Sequence, residues 1–180
     1  MEELKRYQQL IESMLERNRF AGNPQSLYDP LNYLLDLGGK RLRPMLTLIA
    51  CEMMHGDPGK AIMPALGIEV FHNFTLMHDD IMDEAPLRRG QATVHKKWNT
   101  ATAILSGDLM LVKAYEWMMK SEGLARIKVL ELFTKTAAEV CEGQQMDMEF
   151  ESRTDVTVAD YMKIIEIKTA VLLGCSLKTG

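Results

Sequence analysis

The sequence predicts an all-α fold in a single domain, and three observations support that reading. Apolar residues recur at three- and four-residue spacing through most of the 180 positions, as in helices that bury one face. No stretch alternates apolar and polar residues like a half-buried strand, and no strand-turn-strand signal appears. No glycine-rich nucleotide loop and no internal repeat is present.

Composition narrows the class. Hydrophobic residues make up 47% and charged residues 26%, ordinary for a globular domain with a sizeable core. A net charge of −4 provides no basic field for nucleic acid. The start, MEELKRYQQL, is charged within six residues and has no apolar signal core, and no window is long enough to span a bilayer. A cytoplasmic location is therefore expected. Cys51, Cys141 and Cys175 lie in apolar helical patterns without metal-ligand spacing, so buried free thiols are expected. The fourteen methionines read as flexible core filler.

The first helix covers 2–19, with Leu4, Tyr7, Ile11, Met14, Leu15 and Asn18 at helical spacing. Residues 20–24 break it. Asp29 and Pro30 suit the N-cap and first position of a short helix carrying Leu31, Leu34, Leu35 and Leu37, and Gly38 can end it. The loop GGKRLRP follows, with Lys40, Arg41 and Arg43 crowded before Pro44; it reads as either a surface turn or an anion site. A nearly all-apolar helix, 45–55, is expected to be buried on several sides. After the turn 56–59, Pro64 suits the first turn of a long helix. Next comes a helix over 99–120, with Ile104, Leu105, Leu109, Leu111, Val112, Tyr115 and Met119 inward and an interruption at Gly107-Asp108. Gly123 turns the chain into a periodic segment through Leu130, Phe133, Ala137, Val140 and Cys141. Thr157 and Asp160 form a capping pair for a last helix, 158–178.

The chemistry concentrates in HNFTLMHDDIMDEAPLRRG, residues 72–90. On a helix Asp79 and Asp83 stand at i and i+4 and share a face, with Asp80 beside them. Two stacked carboxylates repel each other unless a cation lies between them. Mg²⁺ suits that place because it accepts one or two carboxylates and keeps sites for phosphate oxygens. Pro86 is expected to end the helix near Ala85. Arg88 and Arg89 then offer planar forks that grip a diphosphate. A solvated acidic helix end and a basic turn would explain DDIMDE and RRG singly. They would not explain paired aspartates closing the apolar run VFHNFTLMH, where ionised groups are costly unless paired or metal-bound.

Taken in order, Gly38-Gly39-Lys40-Arg41-Leu42-Arg43-Pro44, His72, His78-Asp79-Asp80-Ile81-Met82-Asp83, Leu87-Arg88-Arg89-Gly90, Gly107-Asp108-Leu109, Gly143-Gln144 with Asp147, and Lys168-Thr169-Ala170 resemble the trans-isoprenyl diphosphate synthases, the polyprenyl synthetase family. The resemblance spans 38–170 and implies an all-α bundle around a deep apolar cavity, a cytoplasmic homodimer and Mg²⁺ as cofactor. It implies condensation of isopentenyl diphosphate with an allylic diphosphate, with a twenty-carbon product favoured over fifteen. It assigns Asp79 and Asp83 to Mg²⁺, with Asp80 in support. Arg88 would contact the allylic diphosphate. Lys40, Arg43, His72 and Arg89 would form the isopentenyl diphosphate pocket, and Lys168 and Thr169 would lie near the leaving group. Phe74, five before Asp79, would floor the tail pocket, although ideal helix geometry turns it well away from the Asp79 face.

The family's second aspartate-rich motif lies beyond the Lys-Thr helix, where this chain stops. Residues 1–180 are therefore expected to be the N-terminal portion of a longer domain, with negligible turnover in isolation. Three alternatives remain at this point. A terpene cyclase has no need of GGKRLRP and RRG. A metal phosphohydrolase could use His55, His72 and His78-Asp79. A non-catalytic helical partner subunit would lack the second motif.

Overall fold

The computed structural model describes residues 2–180, and among these only a two-stranded hairpin departs from helix and connecting turns. Helix α1 (Glu2–Arg17) buries Tyr7, Ile11 and Leu15, while Leu4 is half exposed. Helix α2 (Gln25–Asp36) begins before the predicted Asp29-Pro30 start, because Pro24 is the extended N-cap and Pro30 lies inside the helix. The backbone bond that Pro30 forfeits is offset by burying its ring with Leu31, Leu34 and Leu35. Helix α3 is Leu42–Met53.

Helix α4 (Pro58–Met82) is the centre of the bundle. Asp57 caps it by accepting from the Gly59 amide, with Pro58 at the first position, so Pro64 falls in the second turn rather than the first. Between Ala61 and Phe74 only Met63 and His72 escape full burial. A helix apolar on every side must be surrounded, and α1, α2, α3, α6 (Thr100–Met118) and α9 (Val171–Thr179) do so. It ends three residues before Ala85. Glu84 takes a left-handed φ of 50°, while the Glu84 and Ala85 amides donate to the Ile81 and Asp80 carbonyls. This is a Schellman stop, made by local backbone geometry ahead of Pro86.

Leu87–Arg88 and Gln91–Ala92 pair as an antiparallel hairpin, β1 and β2. Both turn residues have positive φ, Arg89 at 53° and Gly90 at 79°, the geometry of a type I′ turn. An arginine in the first central place is not the usual asparagine or glycine signal, which is why the sequence does not reveal the hairpin. Tyr33 anchors it by donating to the Ala92 carbonyl at 2.7 Å.

After the single turn α5 (Val94–Lys97), helix α6 (Thr100–Met118) runs unbroken through Gly107-Asp108. Its buried face is Ala103, Ser106, Gly107, Met110, Ala114, Trp117 and Met118, whereas Ile104, Leu105, Val112 and Met119, predicted inward, are exposed. The approach of α4 explains the reversal. A Cβ on Gly67 would lie 3.1 Å from the Ala114 carbonyl oxygen, so the two backbones approach closely where Ala114, not a large side chain, takes the contact.

Helix α7 (Gly123–Glu151) buries Val129, Phe133, Thr136, Ala137, Val140 and Gly143. Cys51 and Cys175 are buried free thiols as expected, but Cys141 is exposed. The Thr157–Asp160 capping box starts the last helical segment. That segment is not one α-helix: α8 (Val158–Ile164) passes through a π-helical turn, Ile165–Ala170, into α9 (Val171–Thr179). Among the described residues no helix is long and apolar enough to cross a membrane.

Candidate functional site

Helices α4 and α7 and the π turn enclose a cavity of about 340 Å³. Phe74, Leu76, Val140, Cys141, Met148 and Leu172 give it apolar walls, and Arg43, His72, Asp79, Lys168 and Thr169 bring polar groups to the same space. Six of the residues assigned by the resemblance therefore share one cavity: Arg43, His72, Phe74, Asp79, Lys168 and Thr169. Lys40, Asp83, Arg88 and Arg89 do not line it.

The cationic side is preloaded with unsatisfied charge. The buried Nε of Arg43 has no hydrogen-bond partner. Burial, and then Arg43, Arg89, Arg88 and Arg41, hold His72 at about 3, far below its ordinary value. Arg89 reaches this group through the hairpin, since a Cβ on Gly39 would lie 3.1 Å from both its terminal nitrogens. Gly39, with a φ of 156°, thus leaves room for the guanidinium as well as turning the loop. Arg41 is different: it is buried and donates to Glu69 at 2.8 Å, to Glu12 at 2.9 Å and to the Leu35 carbonyl. Within GGKRLRP, Arg41 secures the loop while Arg43 stays open.

On the acidic side, burial raises the Asp79 carboxyl above its ordinary range; Lys168 opposes this and Asp83 reinforces it. Asp80 is buried and gripped by Arg88, whose Nε and Nη2 donate to its two oxygens at 2.8 Å each. Asp80 therefore faces Arg88 instead of joining Asp79 and Asp83, and Arg88 keeps only Nη1 outside that grip. Lys168 donates to Asp147 at 2.5 Å. The π turn brings Lys168 there, and Gly143 permits it: a Cβ on Gly143 would meet the Lys168 backbone nitrogen at 2.7 Å. The sequence gives no sign of the wide turn. Gln144 lines the cavity with a buried, unpartnered Oε1, and only its place beside Gly143 hinted at a role.

Among the described residues no three His, Cys, Asp or Glu side chains converge as a ready metal cage. Two carboxylates one turn apart, one above its ordinary range because burial and its neighbour disfavour charge, do fit a cation that completes its shell from a phosphorylated ligand.

Residues 24–180 match the polyprenyl synthetase family. The chain belongs to that family. Over its whole length this polyprenyl synthetase chain is 39% identical to the geranylgeranyl diphosphate synthase of Methanosarcina mazei and covers 56% of it. Over 85% of its length it is 42% identical to the geranylfarnesyl diphosphate synthase of Natronomonas pharaonis, covering 50% of that protein. It superimposes on a crystal structure of a geranylgeranyl pyrophosphate synthase with a TM-score of 0.95 at 49% identity, covering 98% of this chain and 54% of the other. The Pyrococcus horikoshii geranylgeranyl pyrophosphate synthetase gives a TM-score of 0.93 at 40% identity, covering 98% and 55% respectively. The fold is thus an isoprenoid-synthase helical bundle, and the chain spans about half the length of the relatives it matches. Family membership overturns the metal-phosphohydrolase alternative.

Proposed function

We propose that this chain is the part of a prenyltransferase that carries the first aspartate-rich segment, within a longer helical domain. It joins isopentenyl diphosphate to an allylic diphosphate head to tail. The observation that carries this reading is that Arg43, with its unpartnered Nε, and the partly buried Asp79 line one largely apolar cavity. The names of the relatives support a twenty-carbon product, with fifteen as the runner-up.

In this mechanism the apolar walls hold the allylic tail and exclude water from an allyl cation. Lys168 and Thr169 approach the leaving diphosphate, with Arg88 Nη1 offering a further donor. Arg43, His72, Arg89 and Lys40 hold the second diphosphate. His72 is neutral at neutral pH, so it adds an N–H donor without further positive charge. The allylic C–O bond breaks with its electrons leaving on diphosphate, the isopentenyl double bond forms the new C–C bond, and a proton is lost. Mg²⁺ held by Asp79 and Asp83 would supply positive charge against the departing diphosphate. Cytoplasmic location and a homodimer belong to the same proposal. The exposed Leu105, Val112 and Met119, seven residues apart along α6, give such a dimer an apolar stripe.

The test joins this chain to the portion of the Methanosarcina mazei synthase that it does not span. The chimera is supplied with isopentenyl diphosphate, farnesyl diphosphate and Mg²⁺. A twenty-carbon diphosphate is expected; phosphate release without chain growth would overturn the proposal.

A further inference from the structure

One turn beyond Phe74 on α4 stands His78, whose ring packs edge-on against Phe74 with centroids 4.7 Å apart. Both rings line the cavity. Phe74 is backed on its other side by Phe71 at 5.5 Å, and Phe71 by Phe133 at 5.1 Å. The phenyl ring is therefore held between Phe71 and His78 and presents its remaining surface to the cavity. His78 is held from a different helix. Its Nε2 lies 3.2 Å from the Ile104 carbonyl on α6, and its ring rests on Gly107, where a Cβ would come within 2.2 Å of Nε2 and 2.5 Å of Cδ2. No real Cβ tolerates such distances, so Gly107 is the only residue type that lets His78 take this seat.

We propose that His78, seated on Gly107, is a positioning residue that fixes Phe74 and so sets the depth of the tail cavity, which makes position 107 on α6 a determinant of tail length. This rests on the prenyl-diphosphate reading above and adds to it residues that do not touch the reacting atoms. Two perturbations then act in opposite directions. Removing the His78 ring leaves space into which Phe74 can swing, and the cavity deepens. A side chain at 107 drives the His78 ring off α6; Phe74 is backed and cannot yield, so the ring moves into the open cavity and shortens it. Without the imidazole, the added methyl at 107 has nothing to push.

The test is calorimetry of the 180-residue chain with Mg²⁺ and uncleavable thiolo-diphosphate analogues bearing geranyl, farnesyl and geranylgeranyl tails. The readout is the affinity for the twenty-carbon tail relative to the fifteen-carbon tail. In His78→Ala that ratio is expected to rise about tenfold, equivalent to one or two newly buried methylenes. It should fall in Gly107→Ala, and the double variant should match His78→Ala alone. His78→Asn, which keeps a donor but no ring, should lengthen tolerance as well and serves if the alanine variant does not fold. An unchanged ratio in folded His78 variants overturns the proposal. So does an equal effect of Gly107→Ala with and without His78, which would mark a helix-packing effect. If the unmodified chain binds none of the analogues, the functional reading itself fails, and this inference falls with it.

Discussion

The anion site can be tested through pH alone, because His72 is partly buried beside arginines. Burial, followed by Arg43, holds its pKa at about 3 against the ordinary 6.5. As pH drops below 6.5 the unfolded chain accepts a proton that the folded chain refuses. The stability contributed by neutral His72 is thus complete above pH 6.5 and is lost as pH falls towards 3. The slope is about 1.4 kcal/mol per pH unit while only the unfolded state is protonated. This amounts to about 2 kcal/mol between pH 6.5 and 5, and of order 5 kcal/mol over the whole interval. Other groups titrate in the same range, so the measured quantity is the difference between the wild-type chain and His72→Gln in urea unfolding across that range. The wild type should lose about 2 kcal/mol more than the variant by about pH 5. Adding pyrophosphate should shrink the excess, because an anion among the arginines makes the imidazolium tolerable. Parallel pH profiles for the two proteins, or a His72 titration near 6.5 by NMR, would refute the reasoning.

Gly143→Ala should destabilise by about 1–3 kcal/mol, because its Cβ would meet backbone atoms of Lys168 that cannot swing aside; an unchanged urea midpoint would contradict this. Arg41→Met leaves Glu69 buried without its partner and should cost about 3–5 kcal/mol, and adding Glu69→Gln should recover much of the loss, which chemical unfolding of the single and double variants can measure. Asp79→Ala should abolish the mutual strengthening of Mg²⁺ and pyrophosphate binding, so calorimetry showing the same pyrophosphate affinity with and without chelator in the wild type would count against the metal assignment. Phe74→Ala should extend the longest product made by the chimeric synthase, and an unchanged product spectrum would place the floor elsewhere.

What the sequence revealed and what it hid divide along a physical line. Helix identity, the Thr157–Asp160 cap and the spacing of Asp79 and Asp83 depend on neighbours within a turn, and these are written in the chain. The inward face of α6 depends on how closely α4 approaches. Periodicity assigned Ile104, Leu105 and Val112 to the core because they are large and apolar, whereas the closest approaches to α4 fall at Gly107 and Ala114. Gly107 reads as a helix interruption in sequence, and nothing local marks Gly143 as a contact. In the fold each is a seat, one for His78 and one for the backbone of Lys168. The division of labour within GGKRLRP was equally hidden, since nothing local distinguishes the buried, paired Arg41 from Arg43 with its unpartnered Nε.

Phe74 shows why helix geometry alone cannot decide which residues share a cavity. Five residues along an ideal helix turn through about 500°, which leaves Phe74 roughly 140° from Asp79, and a cavity touching one narrow stripe of α4 would exclude it. The observed cavity includes both residues, together with Thr75, Leu76, His78 and Met82, and so reaches round much of the helix end. It can do so because α4 is flanked there by Val140 and Cys141 of α7 and by Lys168 and Thr169 of the π turn. A tail whose diphosphate lies beside Asp79 would then pass round α4 as it lengthens, meeting Phe74 only after crossing that arc. The angular offset that argued against Phe74 as a floor becomes the reason it would stop a longer chain and spare a shorter one. On this geometry, changes at Thr75, which lies earlier on the same arc at about 40° from Asp79, should impede shorter tails than changes at Phe74 do.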